Sequence, residues 1–133
     1  MPSFSKTSRD RLSTCDIRLQ QLFNEVVTGF DCTIIEGHRP QHLQDKYFAE
    51  GKSKVKYPNG KHNKIPSQAV DVAPYLNGAI SWNPTHCIYF GGYVMGIAKG
   101  MNIPIRSGCD WDMDMEAITD QIFQDLVHFE LLS

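Results

Sequence analysis

Five side chains in this sequence have types and spacings that chemistry can use. His62 stands nine residues before Asp71 in GKHNKIPSQAVD, and Asp125, His128 and Glu130 fall within the closing DLVHFELLS. Two imidazoles and one carboxylate, from His62, Asp71 and His128, make a ligand set that suits zinc and leaves a fourth position open for water. An open position marks a catalytic site, because the ion lowers the pKa of its water to about 7. Asp125 would lie near such an ion without having to bind it. A carboxylate there can take a proton from water and return it to a leaving amine. The residues alone leave a second reading open, in which a His beside an Asp is a satisfied polar pair and no metal is involved.

Such side chains need strands to aim them. In an extended chain successive side chains alternate between faces. In DLVHFELLS this puts Val127, Phe129 and Leu131 on one face, with His128 and Glu130 on the other. In QAVDVAP, Val70 and Val72 point one way, while Ala69, Asp71 and Ala73 point the other. Each strand thus offers an apolar face for a core and an opposite face with ionisable groups, which are costly to bury without partners or a metal.

The remaining elements follow from periodicity and breakers. An amphipathic helix is expected over Ser8–Val27, from a stripe of Leu12, Cys15, Leu19, Leu22, Phe23 and Val26, with Gly29 as its stop. A strand is expected at Asp31–Gly37 and a helix at Arg39–Gly51, with Pro40 near its first turn. Residues Lys52–Ser67 read as irregular, Gln68–Tyr75 as a strand stopped by Pro74, and Asn77-Gly78 as a tight turn. A helix over Thr85–Met101, a strand at Ile103–Arg106, a loop at Ser107–Met115, a helical turn near Glu116–Phe123 and the closing strand complete the chain. These elements predict an α+β domain, a small, mostly antiparallel sheet with helices on one side.

The 133 residues are the size of one domain, and a single domain over 1–133 is expected. A net charge of −2 and the lack of a basic stripe argue against nucleic acid as a partner. The four cysteines, Cys15, Cys32, Cys87 and Cys109, are scattered without a CxxC pair and read as reduced thiols. MPSFSKTSRDRLS lacks the apolar stretch of a signal peptide. CIYFGGYVMGIAKGM carries Gly92, Gly96 and Gly100 at four-residue spacing, but it is shorter than the roughly 20 residues a bilayer requires and contains Lys99. It reads as a core helix with a close-packed glycine face, and no membrane insertion is expected.

Taken in order, GHRPQHLQDKYFAEGKSK, KHNKIPSQAVDVAPY, GCDWDMDME and DLVHFEL resemble the blocks of the zinc peptidases of bacteriophage endolysins. These are L-alanyl-D-glutamate peptidases, relatives of D-Ala-D-Ala carboxypeptidases with the fold of the hedgehog signalling domain. The resemblance spans nearly the whole chain, and the blocks H-x(8)-D and D-x-x-H-F-E are specific in combination.

The resemblance implies zinc on His62, Asp71 and His128, Asp125 as the catalytic acid/base, and Arg39 and Gln44 lining the substrate cleft. A guanidinium at the start of a helix can clamp a peptide carboxylate, which agrees with that role for Arg39. Trp111 would wall the cleft or serve as an ordinary core tryptophan. Glu130, on the His128 face, is expected to hydrogen-bond that ligand. Where the family commonly has Ser two residues before the first histidine, this chain has Gly60. His38, His42 and His86 match no ligand position. DWDMDME lacks the glycine and length of an EF-hand loop, so Asp110, Asp112, Asp114 and Glu116 read as a solvated acidic loop.

The implied function is zinc-dependent cleavage of the L-Ala–D-Glu bond in the peptide stem of bacterial peptidoglycan, as a phage endolysin. The enzyme would be a monomer without a separate cell-wall-binding module. It would be made in the host cytoplasm and released to the wall with a holin. Two rivals stay open: a D-Ala-D-Ala carboxypeptidase of the same clan, and a non-catalytic zinc-containing binding module. Retention of Asp125 argues against the second, since a structural zinc needs no base.

Overall fold

The computed structural model describes residues 2–109 and 125–133. Trp111, the acidic run from Asp110 to Glu116 and the expected helical turn near Glu116–Phe123 lie outside the described residues. In chain order the elements are α1 (Lys6–Leu12), α2 (Ile17–Gly29), β1 (Cys32–Glu36), α3 (Gln41–Ala49), a 3₁₀ turn (Lys61–Asn63), β2 (Ala69–Leu76), β3 (Ala79–Ile80), α4 (Pro84–Gly100), β4 (Ile105–Ser107) and β5 (His128–Leu131). The strands form one sheet in the order β1-β2-β5-β4, with β3 extending β2, and every ladder is antiparallel. This is the expected α+β architecture.

The core lies against one face of the sheet. Val70 and Val72 of β2 and Phe129 and Leu131 of β5 are fully buried there with Leu19, Leu22, Phe23 and Val26 of α2 and Phe90 and Val94 of α4. Phe129 anchors the layer, its ring 5.4 Å from Phe23 and 6.2 Å from Phe90, both edge-on. Alternation sends Asp71, His128 and Glu130 to the other face, as the pattern of both strands requires. Not all helices lie on the core side, because α3 supplies Gln44 and Tyr47 to the wall of the cleft that Asp71 and His128 share.

Three local expectations are corrected. The first helix is two, because Asp16 caps a fresh start by accepting the Arg18 amide at 2.9 Å. The segment between them is pinned to the sheet region, with Asp16 N–H donating to Ser67 O and Ser67 N–H to Thr14 O. The stripe misleads because it runs through both helices. Strand β2 runs through Pro74 rather than stopping at it. Its neighbour Tyr75 donates to Asp31 of the β1 side, while the Pro74 carbonyl accepts from Ser81 at 2.8 Å, so no ladder bond needs a Pro74 N–H.

The third correction concerns α4. A Cβ at Gly92, Gly96 or Gly100 would meet open space, and all three are exposed. The close approach is at Gly91, where a Cβ would sit 3.2 Å from Cys109 Sγ. No helix among the described residues is long and apolar enough to cross a membrane. The Asn77-Gly78 turn forms as expected, both residues at positive φ, closing the β2–β3 hairpin. The four cysteines are free and buried, and burial pushes the Cys15 and Cys32 thiols up to about 12.

Candidate metal centre and substrate cleft

Register builds this site. Asp71 stands opposite His128 across the β2–β5 ladder. Val72 N–H donates to Val127 O, and Leu131 N–H to Gln68 O, so Asp71 and His128 form a pair without main-chain bonds between them. Side chains are closest at such pairs. His62 arrives from the 3₁₀ turn, and its Nδ1 faces the Gly37 carbonyl at 2.8 Å. A carbonyl only accepts, so Nδ1 carries the proton and Nε2 presents its lone pair to the cluster.

The three donor atoms form a nearly equilateral triangle. His62 Nε2 is 3.2 Å from Asp71 Oδ1 and 3.3 Å from His128 Nδ1, and His128 Nδ1 is 3.2 Å from Asp71 Oδ1. Metal–ligand bonds of 2.0–2.1 Å in tetrahedral geometry separate neighbouring donors by about 3.3 Å. The residues therefore fit a divalent ion. All three are buried, at 4%, 8% and 7% exposure for His62, Asp71 and His128, so water does not replace an absent partner.

Electrostatics agrees with the geometry. Burial opposes ionisation of Asp71, but the two imidazoles outweigh it and hold the carboxyl well below its usual range. Burial likewise opposes a charged His128, yet its hydrogen bonds to Asp71 and Glu130 push the imidazole up to about 9. A metal arriving at His128 therefore displaces a proton. Glu130 accepts from His128 Nε2 at 2.9 Å and is itself held by Arg106 at 2.9 Å and Lys61 at 3.4 Å. Burial raises Glu130, but His128 and Arg106 more than compensate and lower it to about 2.

Asp125 Oδ2 lies 3.8 Å from His128 Nδ1, at the edge of the triangle. Burial and the Asp71 carboxylate raise its pKa, against the pull of His128, His62 and Arg39. A carboxylate biased toward holding a proton beside a metal-sized triangle has the character of a general base. Its backbone is fixed by contact with Gly108. That residue's N–H donates to His128 O at 2.7 Å, and a Cβ on it would fall 1.7 Å from the Asp125 carbonyl oxygen.

Arg39 borders the same cleft, a cavity of about 510 Å³. Its Nε donates to Glu36 Oε1 at 2.9 Å, Nη2 donates to the same oxygen, and Nη1 donates to Gln44 Oε1 at 3.0 Å. The Tyr47 ring lies 4.8 Å from its Cζ. Gln44 is in the cleft wall but only 1% exposed, and its amide nitrogen donates to Ser53 Oγ and Val55 O. Sequence reasoning did not find Glu36, Asn63 or Gly108. Glu36 had one signal, its place three residues before Arg39 at the end of a strand. A bulge between Ile34 and Glu36 then sets Glu36, rather than Ile35, opposite Asp71.

A sequence profile described as phage L-alanyl-D-glutamate peptidase matches residues 2–132. The L-alanyl-D-glutamate peptidase of Escherichia phage T5 is 32% identical over 112 residues, covering 82% of this chain and 81% of that protein. The chain belongs to the phage L-alanyl-D-glutamate peptidase family. A crystal structure of a Serratia marcescens L-Ala D-Glu endopeptidase superposes with a TM-score of 0.78, covering 98% of this chain and 90% of that one. At 20% identity it shows the shared fold.

Membership makes this chain an enzyme of the peptidoglycan endopeptidase class. Within this family member, His38, His42 and His86 stand apart from the metal-sized cluster, which among the described residues consists of His62, Asp71 and His128. His86 pairs instead with Ser81 Oγ at 2.7 Å.

Two predictions follow from the supporting contacts. Glu130→Gln removes the carboxylate that accepts from His128 Nε2. It is expected to weaken metal binding by roughly 10–100-fold in a chelator competition, and unchanged affinity would count against the orienting role. Gly108→Ala cannot be accommodated without moving the Asp125 backbone. Displacements of about 1 Å near reacting groups can lower rates by roughly 10²-fold, so a comparable loss of peptidase activity is expected in a protein that still folds by circular dichroism.

Proposed function

We propose that this protein is a zinc peptidase that cleaves the L-Ala–D-Glu bond in the peptide stem of bacterial peptidoglycan, as a phage endolysin that lyses its host. The observation that carries the metal reading is the buried triangle of His62 Nε2, Asp71 Oδ1 and His128 Nδ1, with edges of 3.2–3.3 Å. The bond is supported by family membership and by the name of the phage T5 relative. In this reading His62, Asp71 and His128 hold the ion. Zinc supplies the Lewis acidity that polarises a scissile carbonyl and makes water a nucleophile near neutral pH.

The chain's own residues do the rest. Asp125 takes the proton of the attacking water and delivers it to the departing amine of D-Glu, so one carboxylate serves as base and then acid. Its raised pKa fits the second half of that cycle, when it must hold a proton long enough to give it away. Arg39 grips a substrate carboxylate. Glu36 and Gln44 occupy three of its five N–H groups, leaving one on each Nη, an arrangement that can take a carboxylate bidentately. Glu130 holds His128 in the tautomer that offers Nδ1.

In this reading the protein acts as a monomer, with residues 1–133 forming one peptidase domain, and reaches the wall from the host cytoplasm through a holin. Internal cleavage fits lysis, because it detaches the cross-linking peptide from the glycan, whereas trimming terminal D-Ala leaves existing cross-links in place.

Digestion of purified peptidoglycan is expected to release fragments with new N-terminal D-Glu and C-terminal L-Ala, read by amine labelling and mass spectrometry. Free D-Ala as the sole product would replace this assignment with a carboxypeptidase. In the same assay Asp125→Asn is expected to lose roughly 10²–10⁴-fold in rate while keeping one equivalent of zinc. His128→Ala is expected to lose the metal itself, and a metal-free preparation with full activity would sink the zinc mechanism.

A further inference from the structure

Asn63 follows His62 and is nearly buried, at 7% exposure, and nothing in its sequence context marks it. Its amide has three contacts. Oδ1 accepts from Gly60 N–H at 3.0 Å, and Nδ2 donates to Arg39 O at 3.1 Å and to Gln44 Oε1 at 3.2 Å. These assignments are forced by chemistry. A main-chain N–H can only donate and a main-chain carbonyl can only accept, so the Asn63 oxygen must face Gly60 and its nitrogen must face Arg39.

The same logic fixes Gln44. Its oxygen accepts from both Asn63 and Arg39 Nη1, and its nitrogen donates to Val55 O at 2.6 Å and Ser53 Oγ at 3.0 Å. All four amide hydrogens of the two residues are used, and the network admits no flipped alternative. Asn63 therefore holds Arg39 at both ends, the backbone carbonyl directly and the guanidinium through Gln44. A third tie runs from Arg39 N–H to the carbonyl of His62 at 2.8 Å.

Gly60 belongs to the same device. A Cβ there would stand 2.7 Å from Asn63 Oδ1 and 3.4 Å from Gln44 Oε1. The Asn63 amide fills the space that a side chain at position 60 would take. The glycine and the asparagine are thus complementary, and a larger residue at position 60 pushes on the amide that orients Arg39.

We infer that Asn63 is a positioning residue for substrate recognition: through Gln44 and the Arg39 carbonyl it sets the direction of the Arg39 guanidinium, and Gly60 is the residue that leaves it room. The inference rests on the proposed role of Arg39 as the grip on a substrate carboxylate. Asn63 and Gln44 act through Arg39 and do not themselves meet the substrate.

The test uses the full chain loaded with zinc and two L-alanyl-D-glutamate peptides, one with the D-Glu α-carboxylate free and one with it amidated. Asn63→Asp keeps the shape and the acceptor for Gly60, but turns an acceptor toward Arg39 O and Gln44 Oε1. It is expected to lower kcat/KM for the carboxylate peptide about tenfold or more, mainly in KM, and to leave the amidated peptide within about twofold. Gly60→Ala disturbs the same amide from the other side and is expected to give the same selective loss. Combining Asn63→Asp with Arg39→Met should be no worse than Arg39→Met alone, because both act on one interaction.

Equal losses on both peptides, or additive effects in the double variant, would overturn the positioning role while leaving the Arg39 grip intact. If Arg39→Met itself failed to distinguish the two peptides, the grip would fall and this inference with it. Zinc content measured on each variant separates either result from a damaged metal centre.

Discussion

The cross-strand pairing of Asp71 with His128 is the constraint on which the rest of this structure depends. It places a carboxylate and an imidazole at closest approach in a buried position, where each alone would be destabilising. What holds it there is the opposite face of the same two strands. Val70, Val72, Phe129 and Leu131 are fully buried against α2 and α4. A one-residue slip would bring the charged groups into that core and expose the phenylalanine, so the hydrophobic layer fixes the register of the candidate metal-binding residues.

Outer contacts then decide which atom of each side chain faces inward. The Gly37 carbonyl fixes His62 to present Nε2, and Glu130 fixes His128 to present Nδ1. Glu130 is in turn steadied by Arg106 directly across the β4–β5 ladder and by Lys61 from the 3₁₀ turn, which also donates to the Leu131 carbonyl. The orientation of the triangle's side chains is thus a property of the whole sheet, from β1 to β4, and not of three residues.

The cleft has two halves with different tasks. On the β1 side, Glu36, Gln44, Asn63 and Tyr47 surround Arg39, a group proposed to read the substrate. On the β5 side, Asp125 approaches the triangle from a turn whose carbonyl lies against Gly108. The His62 main chain joins the halves through its carbonyl bond to Arg39 N–H. Recognition and proposed chemistry are therefore referenced to the same short 3₁₀ turn, which limits how far one can move without the other.

Much of this was legible in the sequence because period-two alternation is a local property. QAVDVAP and DLVHFELLS state which residues share a face, and the blocks shared with phage peptidases name the family, which the profile over 2–132 shows. Single breakers were less informative. A continuous apolar stripe concealed the Asp16 cap, Pro74 did not end its strand, and the spaced glycines of α4 face open space. Only the folded chain could decide the rest, since the deciding contacts join residues distant in sequence. Gln44 lines the cleft, yet what its amide does there is set by Arg39, by Asn63 and by the loop that carries Ser53 and Val55. Gly108 carries no signal of its own, and Gly60 stands out only as a glycine where the family commonly has Ser. Their meaning is the absence of a Cβ where Asn63 and the Asp125 carbonyl must be, and that is a fact about packing in three dimensions.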